Sequence, residues 1–167
     1  MSIFKNLFGG KKESAPQKPN IDALLASPNS NRSVIELYDY VCKLCVLGQH
    51  LERLSAPQRV FYFNQQFECE INSGGFESFF YNSYGTYTDE TISTLRMVGA
   101  NQFAEILQQA VNVFPNGQVP KNINQRQNLM ETFAEDAWGQ FDQKFYAYPE
   151  NPNELNLEYV RKHKDSF

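Results

Sequence analysis

The sequence predicts an all-α fold, a single-domain bundle of about six to eight helices. Apolar residues recur at helical spacing through most of the chain, and no segment alternates apolar and polar residues as a strand would. The sequence also has no internal repeats. At 167 residues and 41 % hydrophobic content, the chain is long enough for one domain with a substantial core and short for two.

The chain is expected to divide into a flexible basic head and linker over residues 1–19 and a helical domain over residues 20–167. Residues 9–20 read GGKKESAPQKPN, which is the composition of a flexible linker. The first 18 residues hold four lysines and one glutamate, so the net charge of −4 leaves −7 on the remainder. Four apolar residues of the head share one helical face: Ile3, Phe4, Leu7 and Phe8. This face is suited to a membrane surface or a partner, and disorder is the alternative.

An apolar rhythm predicts the first long helix. Ser33 and Glu36 have the spacing of a capping box at its start. The residues that keep the helical spacing are Val34, Leu37, Tyr38, Val41, Leu44 and Cys45. The rhythm continues to about Gln49, so we expect the helix to end there.

The second long helix is predicted between a serine cap and a pair of glycines. Ser55 is suited to the N-cap position, and Pro57 falls in the first turn, where a missing N–H costs nothing. The apolar face that follows consists of Val60, Phe63, Phe67 and Ile71. Gly74 and Gly75 are expected to stop the helix.

A short aromatic-rich helix is predicted directly after this Gly-Gly turn. Its aromatic residues have the spacing of one helical turn: Phe76, Phe79 and Phe80. Glu70 lies near the end of the preceding helix, where the helix dipole disfavours a carboxylate, so we expect it to accept the N–H groups that open the turn at 76–82. Asn72 and Asn82 are suited to bonding exposed backbone groups at the two ends of this turn.

Four further helices are predicted in the second half of the chain. Thr88 is suited to the N-cap of the first of these, which has acids in its first turn and ends at Gly99. The next helix contains an apolar face that begins at Phe103 and is closed by the sequence PNG. A long amphipathic helix is expected over residues 129–145, and residues 150–167 allow a short last helix.

Acidic residues are concentrated in two windows that contain no base, five in residues 60–95 and four in residues 127–143. The acids predicted to bind a partner are Glu77, Asp89, Glu90, Glu131, Glu135, Asp136 and Asp142. On one helix Glu131, Glu135 and Asp142 would form a stripe about 16 Å long, which is sparser than duplex DNA with one charge per about 1.7 Å. Bases elsewhere dilute this field: Lys121, Arg126, Lys144, Arg161, Lys162 and Lys164. An ordinary solvated helix face is the alternative interpretation.

Two segments resemble a known family: CEINSGGFESFFYNSYGTYTDETISTLRMVGA and, after it, FAEILQQAVNVFPNG. They are similar to the bacterial DNA-mimic protein family, and the likeness extends over residues 36–167. The residues that match the family core are Asn72, Gly74, Gly75, Phe76, Phe79, Phe80 and Asn82. This core resembles a fold signature and not a catalytic one. The resemblance implies a homodimer that presents carboxylates, in place of DNA phosphates, to a helix-turn-helix repressor.

The sequence contains no recognisable catalytic or metal-binding motif. Cys42 and Cys45 have the spacing of redox and metal sites, but they lie inside a predicted helix, away from the N-terminus that would lower a thiol pKa. His50 and His163 are too far apart to form a helical metal-binding pair. Phosphate-loop, dinucleotide and nucleophile-elbow motifs are missing as well. We therefore expect no enzymatic activity, no cofactor and no metal.

These observations predict a bacterial interaction protein that binds a basic protein, either a DNA-binding regulator or a nuclease toxin that it would neutralise. An acidic body disfavours direct binding to nucleic acid. The odd cysteine count fits the cytoplasm, and neither a signal peptide nor an integral membrane segment is recognisable. The alternative is a small-ligand-binding protein or enzyme that uses the aromatic and Asn-rich corner at residues 72–87. A cavity lined by Tyr81, Asn82 and Tyr84 would support that alternative, and a filled corner would remove the support.

Overall fold

A computed structural model describes residues 16–167, so most of the predicted head lies outside the described residues. The described chain is entirely helical, with eight α-helices, four short 3₁₀ helices and no strand among these residues. The α-helices are α1 (Ile21–Ala26), α2 (Ser30–Leu44), α3 (Ala56–Tyr81), α4 (Thr88–Val98), α5 (Asn101–Val111), α6 (Ile123–Met130), α7 (Gly139–Tyr146) and α8 (Pro152–Lys162). The predicted all-α fold class is confirmed.

Helix α2 begins earlier than predicted, because Asn29 and not Ser33 is its N-cap. The Asn29 side chain accepts the Arg32 N–H at 3.0 Å. Ser33 lies one turn inside the helix, is buried, and donates its hydroxyl to the Leu24 carbonyl oxygen at 2.8 Å. Ser33 therefore fastens α2 to α1, a helix that the sequence pattern did not predict.

The end of α2 also differs from the prediction, which placed it near Gln49. The helix stops at Leu44 because Val46 and Leu47 have φ angles of 51° and 55°. Gly48 follows with a φ angle of 86°. Three successive residues in the left-handed region cannot continue a right-handed helix.

Helix α3 begins as predicted and kinks at the glycine pair. Ser55 accepts the Gln58 N–H at 3.2 Å, and the Gln58 side chain accepts the Ser55 N–H at 2.9 Å, so the two form a capping box. Gly74 and Gly75 have non-helical backbone angles inside α3. Gly75, with φ 70° and ψ −171°, occupies a region open almost only to glycine. Residues 76–81 beyond the kink form the predicted short aromatic-rich helix.

The long amphipathic helix predicted over residues 129–145 is wrong, because the chain forms α6 and α7 with an irregular connection between them. The Phe133 and Trp138 rings both pack on Phe114, with centroid separations of 5.3 Å and 5.8 Å. Residues five apart on one helix point about 140° away from each other. The helix must therefore break for both rings to reach Phe114.

The core consists of two clusters that meet along α3. The larger one is rich in aromatic rings and lies between α3, α4, α5 and α7. The smaller one joins α1, α2, the first half of α3 and α8, and Tyr84 packs against both. Over the part of the chain that the structure describes, no helix is both long and apolar enough to cross a membrane. Helix α3 contributes residues to both clusters and so connects the two halves of the core.

Candidate partner-binding surface

The Gly-Gly kink is held in place by Asp142 of α7. Asp142 Oδ1 accepts the Phe76 N–H at 2.8 Å, so this carboxylate caps the helical segment that starts after the kink. The sequence assigned this role to Glu70, and that assignment is wrong because the kink turns the opening N–H towards α7. A Cβ atom at Gly75 would lie 2.6 Å from Asp142 Oδ2, so only glycine permits this approach. Burial raises the pKa of Asp142, while the Phe76 hydrogen bond opposes the rise.

Glu70 instead belongs to a set of side-chain hydrogen bonds on α3. Its Oε1 accepts from Gln66 Nε2 at 3.1 Å, and its Oε2 accepts from Asn82 Nδ2 at 2.8 Å. Asn72 donates to the Tyr148 hydroxyl at 2.9 Å. Both asparagine side chains therefore bond other side chains, whereas the sequence predicted that they would bond exposed backbone.

Arg126 of α6 packs against the aromatic corner at residues 72–87. It is 0 % exposed, although the sequence treated it as a surface base. Its Nε donates to the Phe80 carbonyl oxygen at 2.5 Å, and its two terminal nitrogens donate to the carbonyl oxygens of Asn82 at 2.8 Å and Pro120 at 2.7 Å. A Cβ atom at Gly85 would lie 2.8 Å from Arg126 Nε. The polar segment NINQRQ contains no apolar pattern that could have marked this arginine as buried.

The corner at residues 72–87 is packed and hydrogen-bonded, which removes the support for a ligand site there. Phe79 and Phe80 are buried, and the Tyr84 hydroxyl lies 2.6 Å from the Tyr62 hydroxyl. Tyr81 is exposed and belongs to neither hydrophobic cluster. The aromatic rings and the guanidinium occupy the space that the alternative function required.

Two of the seven predicted partner-binding acids share one base. Asp89 and Glu90 open α4, and Lys121 Nζ lies 3.8 Å from a carboxylate oxygen of the first and 3.5 Å from one of the second. Asp89 is exposed and Glu90 is half-buried. Lys121 therefore cancels part of the negative field at the start of α4.

The other five acids lie on the short helix after the kink, in or next to the connection between α6 and α7, and on α7 itself. They are Glu77, Glu131, Glu135, Asp136 and Asp142, and we call them the acidic surface. The first four are exposed, and Asp142 is half-buried. Asp136 lies close enough to Asp142 for its charge to raise the pKa of Asp142. Glu77 directly follows Phe76, whose N–H donates to Asp142. Among residues 16–167, no basic side chain lies within 4 Å of any of the five carboxylates.

The acidic surface is not the helical stripe that the sequence predicted. Glu131 and Glu135 lie in or next to the connection, and Asp142 lies on α7, so the three do not share one helix. Lys144 is the base nearest in sequence, but its Nζ donates to Gln109 Oε1 of α5 at 2.9 Å. The field of the surface is therefore set by tertiary packing and not by helical periodicity.

A comparison with known families adds to this geometry, because the family model described as DMP19-like protein matches residues 52–163. The chain belongs to the DMP19-like family. The match extends from the 3₁₀ helix before α3 to the residue after α8, so it includes the kink, Arg126 and the acidic surface of this DMP19-like chain. Comparisons with curated proteins and with solved structures gave no match.

The residues that carried the family resemblance build the interior of the DMP19-like fold. The three phenylalanines of the motif, Phe76, Phe79 and Phe80, are at most 1 % exposed. Gly75 makes room for the Asp142 carboxylate, and Asn72 and Asn82 hold neighbouring side chains. The motif therefore shapes the corner that supports the acidic surface.

The cysteines of the DMP19-like chain are free thiols. Cys42 and Cys45 are buried and Cys69 is exposed. Burial raises the pKa of Cys42 to about 11 and also raises the pKa of Cys45, so both remain protonated at neutral pH. Within the described range, no three metal-ligating side chains come together.

Proposed function

We propose that this protein binds a basic protein partner through the acidic surface, as a DNA-mimic-like regulator. The observation that carries the proposal is the set of five carboxylates, four of them exposed, with no basic side chain of residues 16–167 within 4 Å of any of them. Membership of the DMP19-like family supports the same assignment. Such a surface attracts a protein whose own basic groove normally receives phosphates.

The segments that carry the acidic surface are packed against the core, which favours binding because less conformational freedom is lost on association. Glu77 lies on the short helix after the kink, and Asp142 ties that helix to α7. Glu131, Glu135 and Asp136 are carried by the connection between α6 and α7, which the Phe133 and Trp138 rings anchor to the core. We assign direct contact to the four exposed acids and a supporting role to Asp142, with a weaker contribution from Asp89 and Glu90.

The partner that fits this surface is a DNA-binding regulator or a nuclease, because both carry a basic site shaped for phosphates. We propose that the protein acts as a homodimer, which would double the negative field that one partner meets. We further propose a non-enzymatic role in the cytoplasm, which the free cysteines support.

Charge reversal tests the acidic surface. The tagged triple variant Glu77→Lys, Glu131→Lys and Glu135→Lys is compared with the unmodified protein in pull-downs from lysate of the source cells, with mass spectrometry of the eluates. We expect the unmodified protein to capture a basic DNA-binding protein or nuclease at low salt, and less of it at moderate salt. Added duplex DNA should compete with the capture. The triple variant should lose it.

The matched control carries the same change in net charge on other parts of the molecule, as Glu36→Lys, Glu52→Lys and Glu158→Lys. These three side chains are exposed and lie outside the acidic surface. The control should retain the capture. If both triple variants lost the captured partner equally, the net charge of the protein and not the acidic surface would explain the capture. Capture that duplex DNA does not reduce would argue against phosphate imitation.

A further inference from the structure

A buried amide between α3 and α8 has an acceptor that no group of the described chain satisfies. Asn64 is 3 % exposed, and its Nδ2 donates to the Thr94 carbonyl oxygen at 3.3 Å and to Asn156 Oδ1 at 3.0 Å. Its Oδ1 is buried and has no hydrogen-bond partner. The Thr94 carbonyl oxygen can only accept a hydrogen bond, so Nδ2 and not Oδ1 of this amide faces it. A buried acceptor without a donor is costly, so Asn64 Oδ1 is a position where a donor from a bound molecule would be favoured.

Asn64 faces a small recess whose other polar wall includes Glu68. The recess has a volume of about 10 Å³ and is otherwise lined mainly by apolar side chains, among them Phe67, Phe103 and Phe145. This volume holds roughly one water-sized atom group. Residues 64 and 68 are four apart on α3, so their side chains are neighbours on the same helix face.

The recess adjoins an open cleft of about 530 Å³, since Glu68 and Pro152 line both. The other cleft residues are Asn31, Tyr148, Glu150, Asn151 and Asn153. The Tyr148 hydroxyl donates to Glu68 Oε1 at 3.2 Å, which orients the carboxylate. Glu150 lends a second negative charge, although one of its oxygens accepts the Phe103 N–H at 3.0 Å.

The lining of this site selects the chemistry of its ligand. Among residues 16–167, no lysine, arginine or histidine lines the recess or the cleft, and the charged side chains that do, Glu68 and Glu150, repel an anion. Asn64 Oδ1, which has no donor among the described groups, and the negative charge of Glu68 together favour a cation that donates hydrogen bonds. An ammonium group has three donors on one nitrogen the size of a water molecule, whereas a guanidinium is a wide planar fork. The recess is matched to the ammonium group.

We propose that this site binds the primary ammonium group of an unbranched aliphatic amine, with its nitrogen between Asn64 Oδ1 and Glu68 and its alkyl chain in the cleft. The amine belongs to a free small molecule or to a lysine side chain of a protein. Burial raises the pKa of Glu68, and a bound cation would offset the cost of its charge. The site goes beyond the proposed function, because it shares no residue with the acidic surface.

The test is an NMR titration of the full-length ¹⁵N-labelled protein with n-butylamine hydrochloride. We expect shift changes centred on the amides of Asn64, Glu68 and Asn156, with a dissociation constant in the millimolar range. Tetramethylammonium chloride, which has no N–H donor, should leave these amides unchanged. Nα-acetyl-lysine methylamide shows which kind of molecule supplies the ammonium group. If it binds, the site accepts lysine side chains of proteins; if only n-butylamine binds, the site accepts free amines alone.

Two comparisons keep the proposal open to contradiction. The isosteric variant Glu68→Gln should weaken n-butylamine binding by about tenfold through loss of a charge-assisted hydrogen bond, whereas the exposed control Glu36→Gln should not. In the unmodified protein, n-butylguanidinium should bind more weakly than n-butylamine. This comparison does not depend on the folding of any variant. Equal binding of the two ligands, equal shifts with tetramethylammonium, or unchanged affinity in Glu68→Gln would overturn the site.

Discussion

The guanidinium of Arg126 is buried against backbone carbonyl oxygens, and within residues 16–167 no carboxylate pairs with it. Burial lowers the pKa of Arg126, but an arginine remains charged at neutral pH because its ordinary pKa is so high. Two of its acceptors, the carbonyl oxygens of Phe80 and Asn82, lie at the C-terminal end of α3, where the helix dipole is negative. Arg126 therefore acts as an internal cap that joins α3 to α6.

Replacing Arg126 should destabilise the fold far more than replacing an exposed arginine. The substitution Arg126→Met keeps much of the side-chain volume but leaves three carbonyl oxygens without their donor. We expect a loss of about 3 kcal/mol in the free energy of unfolding. Urea unfolding followed by circular dichroism measures it.

The matched control for this measurement is Arg96→Met on the exposed face of α4. It should change the free energy of unfolding by less than about 0.5 kcal/mol. Similar losses in the two variants would mean that the hydrogen bonds of Arg126 contribute no more than surface contacts do.

At the scale of elements, the kink in α3 and the break between α6 and α7 form one unit. Gly75 takes a backbone conformation that brings the Phe76 N–H towards α7, and Asp142 accepts that N–H. The break before α7 in turn allows Phe133 and Trp138 to pack on the same ring of the core. The two irregularities are linked through α7, which begins after the break and carries the Asp142 carboxylate that accepts the Phe76 N–H.

Removing the Asp142 carboxylate should loosen this contact without unfolding the protein. The variant Asp142→Ala loses the cap on the Phe76 N–H, which is expected to cost about 1 kcal/mol in the free energy of unfolding. Hydrogen exchange should show faster exchange of the Phe76 amide than in the unmodified protein.

Asp136→Ala is the control for this variant, because Asp136 is a neighbouring acid that is exposed. It removes the same charge and should leave both the stability and the Phe76 exchange rate close to those of the unmodified protein. If the two variants behaved alike, the effect of Asp142 would come from local charge and not from its hydrogen bond.

For the whole molecule, α3 connects the two hydrophobic clusters, and the first described helix already belongs to one of them. Ile21 and Leu24 of α1 are buried in the smaller cluster, and the Asn20 side chain caps α1 by accepting the Ala23 N–H at 3.1 Å. These contacts begin at residue 20, where the sequence placed the start of the domain. We therefore propose residues 20–167 as the folding unit.

A chain that lacks residues 1–19 should retain the stability of the full-length protein. We expect its thermal unfolding midpoint to change by less than about 2 °C, since less than 1 kcal/mol would be lost. Light scattering coupled to size exclusion should give the mass of a homodimer for both chains. A larger fall in the midpoint would show that the head contributes to the fold, and a monomer mass would contradict the proposed dimer.

The features that follow from local rules were predictable from the sequence. The all-α class, the Ser55 cap of α3, the stop of α4 at Gly99 and the aromatic turn after the glycine pair depend on residues close together in the chain. Helical periodicity, caps and glycine conformations act within a few residues, so a sequence displays them directly. The family likeness rested on the same local motif, and the match over residues 52–163 confirmed it.

The remaining features depend on contacts between residues distant in the chain. Asp142 and Phe76 are separated by 66 positions, and Arg126 and Phe80 by 46, so no spacing rule connects them. The predicted acidic stripe is divided between the α6–α7 connection and α7 for the same reason, since packing on Phe114 outweighed the continuity of one helix. Local sequence patterns predict helices because the hydrogen bonds and caps of a helix join residues only a few positions apart. The hydrogen-bond partners of buried polar groups depend on how those helices pack, because packing brings donors and acceptors from distant parts of the chain within bonding distance.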